Sequence, residues 1–432
     1  MMRKSASFSL LAVATSFTAL LAPAQAFTPF NLTQTFNNPT TEAGDWFGGF
    51  VSTNHTKALI GAVLDDTGAT DAGSAYLFDT ETGNLLHTFN NPDPQIGDLF
   101  GRSVSISSIY ALIGANFDDA GAENAGSVYL FNTVNGDLLQ TFNNPTPETG
   151  DEFGHFVSID GTNALIGAIR DNTGATDAGS AYLFDTETGD LLQTFNNPTP
   201  EAGDWFGYSV SVDGTYALIG ASQDNTGATN AGSAYLFNTE TGDLLQTFNN
   251  PDPQSDDWFG WSVSISGTNA LIGAWGDNTG ATDAGVAYLF NTETGDLLKT
   301  FNNPDPKTGD QFGRSVSING TNVLIGANGD INTGATDGGF AYLFNTETGD
   351  LIKTFNNPDP QPGDQFGNSV SISGANALIG AYRDNTGAES SGSAYLYQQQ
   401  PEVTEQVPEP VSVSALLGLG LGALVAKGKK QA

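Results

Sequence analysis

The side chains best equipped for chemistry in this chain are aspartates, and they recur at fixed spacings. The loop Asp-x-x-Gly-x-x-Asp is complete at Asp65/Asp71, Asp171/Asp177 and Asp277/Asp283, and occurs with Ile331 inserted at Asp330/Asp337; elsewhere Asn124, Asn230 or Ser390 replaces the second aspartate. Calcium takes roughly six to eight oxygen ligands. Such loops could hold Ca²⁺ weakly, with the aspartate of a nearby Gly-Asp-x-Phe-Gly (Asp151, Asp204) adding oxygens. The competing and favoured reading is that these Asp and Asn residues form turns and solvate loops.

A second set is defined by variation. The residue after a recurring Phe-Gly is Gly49, Arg102, His155, Tyr208, Trp261, Arg314 or Asn368, and the pair after a recurring Ile-Gly-Ala includes Phe117, Arg170, Trp275, Tyr382 and Arg383. Trp, Tyr and Arg are common binding anchors. The expected ligand ring is therefore Arg102, His155, Tyr208, Trp261, Arg314, Arg170, Trp275, Tyr382 and Arg383; the alternative is drift at tolerant surface positions. Catalysis needs an asymmetric set of groups, a nucleophile or base with its orienting partner. The three histidines, His55, His87 and His155, occupy different repeat positions, and there is no cysteine, nucleophile elbow, zinc helix or phosphate loop. An enzyme is not expected.

The elements that must carry these residues repeat. Phe-Gly falls at Phe47, Phe100, Phe153, Phe206, Phe259, Phe312 and Phe366, spaced by 53 residues five times and 54 once. Residues 204–251 show the plan: Asp204-Trp-Phe-Gly-Tyr-Ser-Val-Ser-Val, a turn at Asp213-Gly214, Tyr216-Ala-Leu-Ile-Gly-Ala, a long loop, Gly232-Ser-Ala-Tyr-Leu-Phe237, the turn Asn238-Thr-Glu-Thr-Gly242, and Asp243-Leu-Leu-Gln-Thr-Phe248. Four short runs per unit, the first alternating apolar with Gly or Ser, read as strands rather than helices. Asp-Gly, Ser-Gly or Asn-Gly joins the first two runs in five repeats, which fits two-residue hairpins; the Thr-Glu-Thr-Gly turn suits a hairpin with a bulge. Four-stranded antiparallel units in series build propeller blades.

The array begins with a lone fourth strand, Leu32–Phe36, and ends with a third strand, Gly392–Tyr397, that lacks its fourth. The expected fold is an all-β, seven-bladed propeller of four-stranded blades, closed by the N-terminal strand completing the last blade. Closure would leave no open sheet face. Both long loops of each repeat would then lie on one face of the ring, where binding residues on a rigid scaffold are expected.

The motifs Asp-x-Phe-Gly-x-Ser-Val-Ser-Ile, Ala-Leu-Ile-Gly-Ala and Gly-Ser-Ala-Tyr-Leu-Phe, in that order through residues 32–397, resemble the FG-GAP repeat, which builds the propeller of integrin α chains and of many bacterial surface proteins. The resemblance implies a propeller, extracellular placement and ligand binding or adhesion. Calcium-binding integrin-type repeats carry Asp-x-Asp-x-Asp-Gly between the first two strands; here that link is a tight turn such as Asp160-Gly161 or Ser266-Gly267, so the family's calcium site is not carried over. Phe184-Asp-Thr-Glu-Thr-Gly-Asp-Leu-Leu also resembles a strand-turn-strand of quinoprotein dehydrogenase propellers. The position of their packing tryptophan holds His87, Gln140, Gln193, Gln246, Lys299 or Lys353, so the signature of those enzymes is absent.

Charge and the two ends set the setting. Of 13 Lys and Arg residues, five (Arg3, Lys4, Lys427, Lys429, Lys430) lie in the terminal segments, leaving 8 basic against 48 acidic side chains and a net charge of −40 in between. That surface repels phosphate backbones and excludes nucleic acid. Without cysteine the fold rests on its core rather than on disulfides. Residues 1–26, with Arg3 and Lys4, an apolar stretch Phe8–Leu21 and Ala24-Gln25-Ala26, read as a signal peptide. A propeller over 27–397 and a polar linker over 398–410 follow, then an apolar stretch with a basic end over 411–432. Its 16 apolar or small residues, Val411 to Ala426, reach about 24 Å as a helix, against a hydrocarbon core of about 30 Å. Val407-Pro408-Glu409-Pro410 with this tail resembles the PEP-CTERM sorting signal of exported bacterial proteins, which implies processing by an exosortase-type protease; a plain membrane anchor is the alternative. The membrane is thus met only through the tail. The expected function is a non-enzymatic, exported or envelope-attached binding or adhesion protein whose partner is an extracellular glycan or a surface protein. An acidic structural matrix component without a discrete ligand and a polysaccharide-acting enzyme are the alternatives.

Overall fold

Each Phe-Gly motif opens a sheet. In the computed structural model, which describes residues 29–40, 42–329 and 338–400, the strands Phe153–Asp160, Asn163–Ala168, Ser180–Asp185 and Leu191–Asn196 bond in that order into one antiparallel sheet. Seven such four-stranded sheets make up the fold. Six are continuous in sequence. In the seventh, Val370–Ser373, Asn376–Ala381 and Ser393–Gln399 are completed by Phe30–Asn37, with Leu32 opposite Tyr397 and Phe36 opposite Ala394. The closure expected from the ends of the array is therefore the one observed. The proposed terminal segments, 1–26 and 411–432, lie outside the described residues.

The turns follow their chemistry. Asp160 pairs with Asn163 across a two-residue loop, and Gly161, Gly214, Gly267, Gly320 and Gly374 hold φ near +57°, the left-handed geometry that tight hairpins require. The Thr-Glu-Thr-Gly hairpin carries the expected bulge, between Leu183 and Phe184 in the third blade.

Burial explains the composition of each strand. The second, such as Asn163–Ala168, is covered on both faces and is apolar from Ala164 onward. The fourth, Leu191–Asn196, is exposed except for half-buried Gln193 and its buried phenylalanine. Cores form between blades: Leu165, Leu183 and Phe195 pack against Phe206, Val210, Ile219 and Phe237 of the next blade. The seam is built the same way, Phe36 and Leu396 meeting Phe47, Ile60 and Phe78. The Phe36–Phe78 ring distance is 4.8 Å, against 4.7 Å for the internal pair Phe89–Phe131.

The innermost strand of each blade faces the channel, and its outer edge would otherwise be unpaired. Serines supply the missing acceptors. Val157 N–H donates to Ser103 Oγ (2.9 Å) and Ile159 N–H to Ser105 Oγ (3.1 Å). At the seam, Val51 and Thr53 donate to Ser369 and Ser371 Oγ at 3.0 Å. The alternation of Ser with Val or Ile is thus a stitch between blades on one face and core packing on the other. On the outer belt Gln140, Gln193 and Gln246 donate to carbonyls of Glu187, Glu240 and Glu293 in the next blade's turn.

The motif glycines fix how closely blades approach. A β-carbon on Gly167 would lie 2.0 Å from Gly207 O, and one on Gly179 would lie 2.0 Å from Phe206 O. Gly203, by contrast, meets nothing within 4 Å but holds φ at +83°. Replacing Gly167 by Ala must push main chains apart and is expected to cost about 3 kcal/mol, at the upper end of overpacking penalties. Gly203→Ala pays only the left-handed backbone, about 1 to 2 kcal/mol. Thermal unfolding of the two variants checks the ranking; equal or reversed losses would contradict it.

Candidate functional site

The channel opens differently at its two ends. At the tight-turn end a cavity of about 310 Å³ is lined by near-equivalent positions, Ile106, Ile159, Val212, Ile265, Ile318 and Ile372 with small polar neighbours. At the long-loop end the lining breaks the seven-fold repetition. A cavity of about 190 Å³ is bordered by Phe50, Arg102, Phe156, Tyr208, Trp261, Arg314 and Asn368 above a ring of valines.

A backbone device aims these side chains. The residue between Asp and Phe of Asp-x-Phe-Gly has φ of 53° to 59° in all seven repeats: Trp46, Leu99, Glu152, Trp205, Trp258, Gln311 and Gln365. Its N–H is held by the preceding blade, as in Glu152 N–H to Asn124 O (3.2 Å) and Trp258 N–H to Asn230 O (3.0 Å). The inner strand then shifts register between Phe153 and Val157. Such bulges re-aim side chains, and here the residue after Phe-Gly turns towards the channel mouth.

One cluster runs around the mouth through neighbouring blades. Arg102 lies over the rings of Phe50 (4.5 Å) and Phe156 (5.6 Å), and its Nη2 donates to His155 Nε2 at 3.1 Å. His155 Nδ1 then donates to Glu152 Oε2 at 3.1 Å, so the imidazole is neutral with its proton on Nδ1. Burial and the adjacent Arg102 charge push the His155 pKa down to about 4. Burial raises the carboxyl of Glu152, but the hydrogen bond from His155 and the charges around it outweigh that and hold it below the usual range. Arg170 Nε reaches Glu152 Oε1 at 3.2 Å. The aromatic arc continues from His155 to Tyr208 (5.2 Å), Tyr208 to Trp261 (4.3 Å), and Trp261 to Trp275 (5.5 Å). Arg314 lies over Trp261 (5.3 Å) and Trp275 (5.7 Å). A second group joins Trp46, Tyr382 and Arg383, with Arg383 over both rings. It borders an adjoining cavity that Arg102 and Arg314 also line.

All nine expected ligand residues therefore gather at this one end, in two groups. Tyr208 is buried at 6% exposure, so it shapes the wall rather than the rim. Trp46, Trp205, Trp258, Glu152, Phe50 and Phe156 belong to the same site and were not anticipated. The criterion of disagreement between repeats would have found them, because the residue before Phe-Gly also varies, among Trp, Leu, Glu and Gln. Phe50 and Phe156 stand where other repeats have serine.

The acidic loops have a different geometry. Asp65 Oδ1 accepts from Thr67 N–H and Oδ2 from Tyr76 OH; Asp171 and Asp277 are bonded alike, to Thr173 and Tyr182 and to Thr279 and Tyr288. Asp71, Asp177 and Asp283, like Asn124, Asn230 and Ser390, hold φ of 51° to 54°, a region that Asp and Asn tolerate better than most residues. Asp330 and Asp337 lie outside the described residues. Among the described residues no three His, Cys, Asp or Glu side chains gather as a metal-binding group. The loop geometry gives these aspartates turn-forming work that requires no metal.

The aspartates before x-Phe-Gly are buried. Asp151 Oδ2 accepts from Asn144 Nδ2 and Glu148 N–H, both at 2.7 Å. Burial pushes the carboxyls of Asp98, Asp151, Asp204, Asp257 and Asp364 up to about 6, against hydrogen bonds that pull the other way. A raised folded-state value makes protonation favour the fold. Each of these groups adds stability as pH falls from above 6 towards 3.8, its unfolded value. His155 opposes them, losing stability as pH falls from 6.5 towards 4. With five groups against one, the melting temperature in chelator-containing buffer is expected to rise between pH 7.5 and pH 5, and Asp257→Asn should flatten that rise. A calorimetric series in which the melting temperature falls over this range would refute the sign.

Comparison with protein families matches the FG-GAP repeat to residues 38–78, 89–131, 147–184, 199–237, 246–290, 300–344 and 354–397. No curated protein matches the chain.

Proposed function

The chain belongs to the FG-GAP repeat family, and on that premise we propose that it is an exported, non-enzymatic binding protein that holds an extracellular glycan at the long-loop mouth of its channel. The observation that carries this reading is the asymmetry of the mouth. Three tryptophans, Trp258, Trp261 and Trp275, stand together in one sector with ring distances of 4.1 to 5.7 Å. Each is only partly buried, so flat apolar faces remain for the C–H faces of a sugar ring. Aromatic and arginine anchors of this kind dominate binding energy where they occur.

Against catalysis stands the protonation state of the one histidine in the site. His155 is buried, neutral, and committed through both ring nitrogens to Arg102 and Glu152. It lacks a free nitrogen with which to act on a substrate. Export through the N-terminal segment and processing of the C-terminal tail by an exosortase-type protease complete the proposal, and fractionation of producing cells reads out both.

Retention of the purified protein on a panel of immobilised polysaccharides tests the function. At least one polymer is expected to retain it. Trp261→Ala and Trp275→Ala are each expected to weaken that retention about tenfold or more, a loss of the size seen at interface anchors, with little change in melting temperature. Retention unaffected by both changes would overturn the assignment of the site, and an absence of retention on every polymer would favour a matrix role without a discrete ligand.

A further inference from the structure

Between the terminal segments the chain has only four arginines, Arg102, Arg170, Arg314 and Arg383, and all four lie at the long-loop mouth. A chain with 48 acidic residues has ample means to pair them. Yet among the described residues the one carboxylate that touches any arginine is Glu152, bonded to Arg170. Arg102 spends one nitrogen on a neutral imidazole, and its Nη1 is buried with no partner. Among the described residues the Arg314 side chain makes a single long bond, Nε to Asn368 Oδ1 at 3.4 Å. Arg102 and Arg314 border the same two cavities. Burial is the main influence disfavouring the charge of Arg102; nearby Tyr208 and Glu152 favour it, and Arg314 adds a smaller opposing effect. Two like charges facing one partly desolvated space, each stacked on aromatic rings and neither in direct contact with a carboxylate among the described residues, are unfavourable on their own. An anion between them removes the penalty. The guanidinium fork suits a carboxylate in particular, because it presents two parallel N–H donors.

We propose that the mouth is a carboxylate site: the acid group of a uronate-type sugar is held between Arg102 and Arg314 while the sugar ring lies on Trp261 and Trp275. This rests on the glycan-binding reading and adds the class of glycan. The acidic body bears on the form of the ligand. A long polyanion lying across the face would meet the net charge of −40, whereas one acidic unit entering the mouth meets the arginines, and at about 0.15 M salt charges farther than about 8 Å are largely screened.

Titration calorimetry of the purified protein with trigalacturonate and with its fully methyl-esterified form at about 0.15 M salt tests the proposal. The ester removes the charge and keeps the sugar. The acid is expected to bind roughly tenfold or more tightly than the ester, the scale of a charge-assisted hydrogen bond. Arg314→Gln is expected to lose that margin on the acid while leaving the ester unchanged, and Trp261→Ala to weaken both. Equal affinities for acid and ester would overturn the carboxylate site and leave glycan binding standing. Failure of acid, ester and every neutral polymer to bind would overturn both readings. Because the ester comparison uses the unaltered protein, its outcome does not depend on how Arg314→Gln folds. Triglutamate supplies the last arm: if it bound more tightly than trigalacturonate and with the same dependence on Arg314, the glycan assignment would be overturned in favour of an acidic peptide.

Discussion

Between neighbouring blades the carbonyl of a Phe-Gly glycine occupies the space that a β-carbon on the partner's Ile-Gly-Ala glycine would need. The gap would be 2.0 Å at Gly167 and Gly207, and again 2.0 Å where the last blade meets the first, at Gly380 and Gly48. Contact between main chains leaves little freedom in the angle between sheets, because no side chain intervenes to be exchanged or repacked. Repeating one such contact with one strand length gives one rotation per blade, and the ring closes when the rotations sum to a full turn. The three motifs are therefore less a signature than a set of distances. Phe-Gly and Ile-Gly-Ala meet across the blade boundary, and the glycine before Ser-Ala-Tyr receives the backbone of the next phenylalanine.

A ring fixed by its main chain frees particular side chains to vary. Inner-strand serines such as Ser105 and Ser158 stitch blades at a position where the repeats agree, and the phenylalanines fill the cores between them. The residues before and after Phe-Gly carry no such duty: their N–H groups are held and their backbone angles set, but their side chains point to the mouth. Variation between repeats is thereby concentrated at one end of the channel. The opposite end keeps a near-uniform lining of Ile and Val.

Much of this architecture was legible in the sequence because its signals are local. Asp213-Gly214 announces a tight hairpin, Ala-Leu-Ile-Gly-Ala a doubly covered strand, and the unmatched Leu32–Phe36 a borrowed one. The site was legible only in part because its contacts are not local. Arg102 meets His155, and Tyr208 meets Trp261, across blade boundaries; residues so distant in sequence become neighbours only once the ring exists. The role of Glu152 was invisible for the same reason, since its value lies in the partners that the folded ring brings to it. The loop aspartates invited a ligand reading because carboxylates suggest cations, whereas the structure also shows a conformational reason for their identity: Asp71, Asp177 and Asp283 hold left-handed backbone angles that direct a carbonyl to the next blade's N–H.

The distribution of charge carries the functional argument furthest. A strongly acidic surface repels itself, and basic residues spread over it would relieve that strain. Arg102 and Arg314 instead sit where they relieve it least, bordering one cavity against one another, while Arg170 and Arg383 stand exposed beside them. Stacking on Phe50 and Phe156 for Arg102, and on Trp261 and Trp275 for Arg314, offers each of these two guanidinium groups an attraction of about 1 to 2 kcal/mol, and each commits only one N–H to a described neighbour. Aromatic faces hold the cations in place without neutralising them. Positive charge arranged in this way contributes little to the protein's own stability, and that cost without a structural return is what the proposed carboxylate ligand would explain.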